Sequence, residues 1–368
     1  MKKISIYMIM LLAAAFASCE KPSLESSTDI ELIPEAGYIR FSTGVATKAP
    51  IIENLRGSQF GVFGYSYSLS SDWATARPLA KPNVFHKLEV NCDVNGVCTY
   101  DNDPRTPDTD DLEQWSLGSK YSFFAYFPMT TAVTVTDQNT VDAPRITYNL
   151  PLGTSPIDPD NLIDLMTAYS IDQTAKGSGQ VDFTFQHRLF CISVLAQNFN
   201  NDVEEDGNVT TEADQTISDL KLTITNLKYT ALTVPMQKGD GKIDPVYTPK
   251  SVDSDQKPVP FSATFDLSSS GSQTITVPSH DDYTGKTLLS GEKNVMLVPQ
   301  NATDNPLTGS VSFKLADGTE KICTFTSRLN FQEGKKYNIV ISFTGDTVIV
   351  SVAEAGAWEP HPVQFEFE

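Results

Sequence analysis

Lys120-Tyr121-Ser122-Phe123-Phe124-Ala125-Tyr126-Phe127-Pro128 is the stretch on which the fold turns. Successive side chains of a strand point to opposite faces, and here rings fall on both parities. Such a run is expected as the central strand of a sandwich, covered on each side. Rings left exposed would instead form a stacking platform for sugars, and the sequence leaves that reading open. Outward from this run, short alternating segments bounded by Gly, Pro, Asn and Asp recur along the whole chain. Helix-like spacing is scarce and no repeat of fixed period is present, so an all-β protein is predicted.

Several of these segments read clearly. Phe60 to Tyr67 is a strand whose Gly61 and Gly64 allow a neighbour to approach closely. Val181, Phe183 and Phe185 alternate with polar residues beyond a Gly-Ser-Gly linker, as do Leu220, Leu222 and Ile224, while Val295 to Pro299 reads as a buried run. Ile39, Phe41 and Val45 share one parity and Arg40 and Ser42 the other, the period of a half-buried strand. Asp93-Val94-Asn95-Gly96 marks a hairpin. A type I turn with Gly96 in the left-handed bulge position sets Cys92 opposite Cys98 and permits a cross-strand disulfide of structural role. A two-residue Asn95-Gly96 turn would leave both as thiols on opposite faces. Cys191 and Cys323 lie in strand-like segments and either pair across the second core or remain buried thiols, the unpaired state being favoured.

The chain opens with Lys2-Lys3, an apolar run from Ile4 to Ala17, and Ala17-Ser18-Cys19. That is a secretory signal, too short for a spanning helix. With a cysteine directly after the small residues it resembles the bacterial lipoprotein precursors, which implies cleavage before Cys19 and acylation of Cys19 as a membrane anchor. Each buried methylene contributes about 0.8 kcal/mol, so several chains hold a folded protein at a bilayer. Residues 20–37 are rich in Ser, Glu and Pro and poor in large apolar groups, and are read as a tether.

Removing residues 1–18 leaves 350 of the 368 residues, comfortable for two domains. The formal charge of −19 becomes −21 without Lys2 and Lys3. Such a surface repels nucleic acid and anionic lipid, so neither is expected as a partner. The acidic loop from Asp101 to Glu113 lacks the Gly and terminal Glu of a calcium loop and contains Pro104 and Pro107; it reads as solvated. His187 stands without a nucleophile motif and reads as a hydrogen-bonded structural residue. No Ser-centred elbow and no zinc His-Glu-x-x-His occurs, so no catalytic residue, metal or cofactor is predicted and the chain is not expected to be an enzyme.

Certain phrases together are similar to those of the fimbrillin family, the subunits of type V pili. They are Ile39-Arg40-Phe41-Ser42-Thr43-Gly44 leading to Thr47-Lys48-Ala49-Pro50; Trp115 followed by the aromatic run ending Tyr126-Phe127-Pro128; Asp164-Leu165-Met166-Thr167-Ala168; Phe185-Gln186-His187-Arg188-Leu189; and Phe331 to Phe343 with its Gly334-Lys335-Lys336-Tyr337 turn. Thr347 to Val352 and Trp358 extend the likeness. The resemblance implies two tandem β-sandwich domains, Greek-key and transthyretin-like, following a lipoprotein signal and an N-terminal arm. The expected boundaries are 1–18 for the signal, 19–48 for the tether and arm strand (a candidate propeptide), 49–177 for the first domain and 178–368 for the second. It also implies a processing site at Lys48 and Ala49, where the family's usual residue before the cut is arginine and where Pro50 follows closely.

The last six residues, with Val363, Phe365 and Phe367 on one face, either complete their own domain or fill a groove on a neighbour by donor-strand exchange. The favoured reading is a surface-exposed structural or adhesion protein of type V fimbriae at the cell outer membrane. Its expected partners are other fimbrial subunits met head to tail, the membrane through its lipid, and host or bacterial surface ligands. The alternative is a non-polymerising lipoprotein that binds carbohydrate or a host ligand.

Overall fold

The computed structural model describes residues 37–357 except 44–54, 56, 102–111, 138–139, 142–143, 154, 176–178, 200, 204–208, 213, 237–244, 269–273, 279–285, 291–292, 302–305 and 345–346. The first ten strands are β1 (Arg40–Ser42), β2 (Ser58–Ser68), β3 (Phe85–Cys92), β4 (Cys98–Thr99), β5 (Ser119–Phe127), β6 (Val133–Thr136), β7 (Arg145–Asn149), β8 (Met166–Gln173), β9 (Gln180–Asp182) and β10 (Gln186–His187). Next come β11 (Phe190–Asn198), β12 (Asn201–Val203), β13 (Val209–Glu212), β14 (Gln215–Leu227), β15 (Tyr229–Pro235), β16 (Val246–Pro249), β17 (Phe261–Asp266) and β18 (Ile275–Val277). The last are β19 (Thr287–Leu288), β20 (Val295–Leu297), β21 (Gln300–Asn301), β22 (Leu307–Leu315), β23 (Glu320–Ser327), β24 (Asn330–Phe331), β25 (Lys335–Thr344) and β26 (Thr347–Ala357). Among the described residues the only α-helix is a single turn, Trp73–Ala76, capped by the Asp72 carboxylate, which accepts from the Thr75 N–H at 2.8 Å. The protein is all-β, as its alternation predicts.

β5 runs through the middle of a six-stranded antiparallel sheet ordered β10-β8-β5-β2-β3-β4. Its Tyr121, Phe123 and Ala125 enter one apolar core, and its Phe124 and Tyr126 enter another. Rings on both parities thus mean cover on both faces. Two glycines of β2 let this happen. A Cβ on Gly61 would overlap the ring of Tyr126, its cross-strand partner, and one on Gly64 would stand 2.7 Å from the ring of Phe85.

On one face of this sheet lies a two-stranded parallel ribbon, β1 with β9, which together with Phe183 and Phe185 closes the first core. The other face opens onto a second core that continues into the rest of the chain. Here two sheets, β19-β11-β25-β26 and β17-β14-β22-β23, contribute Phe343 and Phe313, whose rings meet edge to face at 5.8 Å. β11 pairs with β25 in parallel, and β20 and β18 pair with β11 and β14 beside these paths.

The two halves are stitched together. A four-stranded sheet, β16-β15-β7-β6, joins strands from either side of position 177, and the Thr147 and Thr233 hydroxyls meet across it at 2.9 Å. Beyond the expected boundary, β9 pairs with β1 and β10 with β8. Alternation of Val181, Phe183 and Phe185 reports that one face is buried; it does not say against which half. All three lie in the core that also holds Phe41 and Phe60.

Candidate functional site

The arm strand β1 is the element with the clearest functional geometry. Ile39 and Phe41 are buried, and Arg40 between them is exposed, as the parity of the sequence predicts. Phe41 sits among four rings: it stacks on Phe183 at 5.5 Å and meets Phe85, Tyr100 and Phe123 at 5.5–5.8 Å. Burying side chains of this size stabilises by roughly 1.5–3 kcal/mol each. The arm is therefore a plug in the first core.

Its backbone is held on both sides. Arg40 N donates to Gly179 O at 3.1 Å and Phe183 N to Ser42 O at 3.1 Å, which forms the β9 edge. On the other side Ile39 N donates to Glu113 O at 2.7 Å, and Trp115 N to Gly37 O at 2.9 Å. The Tyr100 hydroxyl donates to Ile39 O at 2.6 Å and accepts from Glu113 N at 3.1 Å. Burial pushes that phenol up well past its ordinary range, so it remains a donor. Trp115, from the family-like aromatic phrase, donates its Nε1 to Gly179 O at 3.1 Å and packs edge-on against Tyr121.

Beside the arm, toward β4, lies a cleft of about 600 Å³ whose walls include Arg40, Ser42, Val97, Cys98, Tyr100 and Leu112. Its β4 wall is braced by a disulfide between Cys92 and Cys98, which stand opposite each other in register. Of the two turns open to the sequence, the chain adopts the one with Gly96 at φ +85, in which Asp93 N donates to Val97 O at 2.9 Å. The Asp93 carboxylate accepts from Val97 N and Asn95 N at 2.8 Å each, and these bonds hold it below the usual carboxylate range. Cys191 is a buried thiol and Cys323 a partly buried one; both are free. Cys19, Lys48, Ala49, Val363, Phe365 and Phe367 lie outside the described residues.

Three of the sequence phrases converge elsewhere. His187 Nδ1 lies 2.7 Å from Asp164 Oδ1, Arg188 Nε donates to Thr167 Oγ1 at 2.6 Å, and Arg188 N donates to Leu165 O at 2.8 Å. The third phrase closes on them, with Gly334 N donating to Leu189 O at 2.9 Å and Arg188 paired with Glu333 at 3.3 Å. His187 is thus a hydrogen-bonded core residue in a joint between the halves. Among the described residues no group of three or more His, Cys, Asp or Glu is placed to hold a metal ion. No described helix is long and apolar enough to cross a membrane.

The fold is thus an all-β one whose arm strand is buried in a ring-lined core beside a disulfide-braced hairpin. The comparisons place it more closely: the chain belongs to the fimbrillin-like family, whose model matches residues 57–358. No curated protein matches it at the sequence level. A fimbrial protein from Bacteroides vulgatus shares its fold, at 18% identity and TM-score 0.59 over 87% of this chain and 99% of that one. Looser likenesses are to a candidate cell adhesion protein from Bacteroides ovatus (14%, TM-score 0.48, 87% and 96% covered) and to the tip fimbrial protein Mfa3 from Porphyromonas gingivalis (9%, TM-score 0.33, 84% and 97%).

Proposed function

We propose that this chain is a surface fimbrial subunit, exported as a precursor anchored through acylated Cys19, whose arm strand is a temporary occupant of a groove meant for another subunit. The observation that carries this reading is the burial of Ile39 and Phe41 among Phe85, Tyr100, Phe123 and Phe183. Cleavage between Lys48 and Ala49 separates the arm covalently from the rest. Its departure leaves an apolar trough and unpaired β9 backbone groups, which recruit a strand. The segment from Val363 through Phe365 to Phe367 has the right period to replace it, setting apolar residues at every second position as Ile39 and Phe41 do. If each subunit gives its strand to the next rather than to its own groove, the contact does not close and propagates as a filament.

The test is reconstitution. The chain cut at Lys48 with a trypsin-like protease, and freed of residues 1–48 by gel filtration under mild denaturant, is titrated with a peptide of residues 357–368. Saturable binding that is lost when Phe365 and Phe367 are both serine supports donor-strand assembly. A cut chain that binds neither this peptide nor a second copy of itself counts against it.

A further inference from the structure

The Cys92–Cys98 disulfide stands where a weak edge strand meets the arm. β4 lies at the end of its sheet and meets β3 through two register pairs, Asn91 with Thr99 and Cys92 with Cys98. So short a ladder at a sheet edge opens easily. The turn adds bonds from Asn95 N and Val97 N to the Asp93 carboxylate, but these residues are solvent-exposed. β3 is different, since it pairs with β2 from Cys92 opposite Ser58 to Phe85 opposite Gly64. The disulfide therefore ties a strand that barely holds itself to one that is firmly embedded.

Tyr100 follows directly on β4, and it grips the arm. Its hydroxyl donates to Ile39 O at 2.6 Å and accepts from Glu113 N at 3.1 Å, while Glu113 O accepts from Ile39 N at 2.7 Å. Its ring lies 5.5 Å from that of Phe41 and 5.5 Å from that of Phe85. Tyr100 thus closes a circle of hydrogen bonds around the Ile39 backbone, and its own backbone is placed by β4. A covalent bond outside the arm in this way reaches the arm: Cys98 fixes β4, β4 places Tyr100, and Tyr100 holds Ile39.

Of the two cysteines, Cys98 is partly exposed and borders the cleft beside the arm, whereas Cys92 is buried. An external dithiol enters at Cys98. Its thiolate attacks Cys98 Sγ, the S–S bond breaks, and Cys92 leaves as a thiolate that takes up a proton. The second thiol of the reagent then displaces Cys98, so two cysteine thiols form and the dithiol becomes a disulfide.

We propose that the Cys92–Cys98 disulfide is a redox-sensitive lock on the arm: oxidised, it seats β1 through Tyr100, and reduced by a dithiol, it lets β1 leave its groove more readily. This rests on the reading of β1 as a removable arm, but it needs neither cleavage at Lys48 nor a donated strand.

The test is hydrogen–deuterium exchange of the full, uncut chain before and after treatment with dithiothreitol, with reduction verified by intact mass. Peptides covering residues 37–42 and 180–183 should exchange about tenfold faster or more once reduced, while β2, β5 and β25 change by less than about twofold. The double variant Cys92→Ser, Cys98→Ser should match the reduced chain and ignore dithiothreitol; reduction of the natural chain gives the same reading if that variant fails to fold. Tyr100→Phe keeps the ring and the disulfide but loses the hydroxyl, and should speed arm exchange about threefold or more in the oxidised chain. Arm exchange unchanged by complete reduction overturns the lock. So does a reduced chain in which β2, β5 and β25 quicken as much as the arm, since that marks a general staple. A Tyr100→Phe chain whose arm exchanges at the natural rate overturns the route through Tyr100. Failure of the 357–368 peptide to bind the cut chain would leave these exchange rates untouched, so the two readings fail separately.

Discussion

Replacing Phe41 by alanine should loosen the first half of the molecule far more than its position near the chain's start would imply. Its ring is buried and touches Phe85, Tyr100, Phe123 and Phe183 at centroid distances of 5.5–5.8 Å. Truncation removes the transfer free energy of the ring and leaves a void bounded by stiff aromatic neighbours, so the expected loss is about 3–5 kcal/mol. The control lies one residue away on the same strand. Arg40 is exposed, and Arg40→Ala should stay within about 0.5 kcal/mol. Urea unfolding of the full chain is well suited to the comparison, since Trp115 reports from the same core and Trp73 from the other. The midpoint for Phe41→Ala should fall clearly while that of Arg40→Ala does not move. Equal midpoints for the two variants would refute the plug and with it the groove.

Other expectations follow from single sites. Cys92 and Cys98 are six residues apart, a short loop, so replacing both by alanine should cost only about 2 kcal/mol, measurable as a lowered denaturant midpoint. Gly61→Ala drives a methyl into the Tyr126 ring and should cost about 1–3 kcal/mol, whereas Gly118→Ala, with nothing within 4 Å, should be close to neutral in the same assay. Burial pushes the phenols of Tyr148 and Tyr247 and the thiol of Cys191 each to about 12. The unfolded chain gives up these protons at lower pH than the folded one, so the folded state binds more protons in between. Stability should therefore fall as pH rises from about 9 to 12, read from melting curves across that range. By the same burial, Cys191 in the native protein should resist thiol reagents at pH 8 and react only on unfolding.

Much of this architecture is legible in the residues. Rings on both parities of β5 announced cover on both faces, and the two parities of β1 announced a buried Ile39 and Phe41 flanking an exposed Arg40. Period and burial are local properties, so one segment suffices to read them. Partnership is not local. Nothing in Val181-Asp182-Phe183 says that β9 turns back to pair with the arm, and nothing in Thr147 or Thr233 says that β7 and β15 will share a sheet across the halves. The hairpin at Asp93 left two turns open because both are compatible with Asn-Gly; the fold adopts the one with Gly96 at positive φ, in the register that sets Cys92 opposite Cys98.

The most direct check on the account is the first residue of the chains found in filaments purified from the cell surface, read by mass spectrometry of the N-terminal peptide. The account expects Ala49 there, with acylated Cys19 confined to chains still held at the membrane. Filaments whose chains all retain residues 19–48 would contradict it, because an arm that stays in its groove leaves no place for the strand of another subunit.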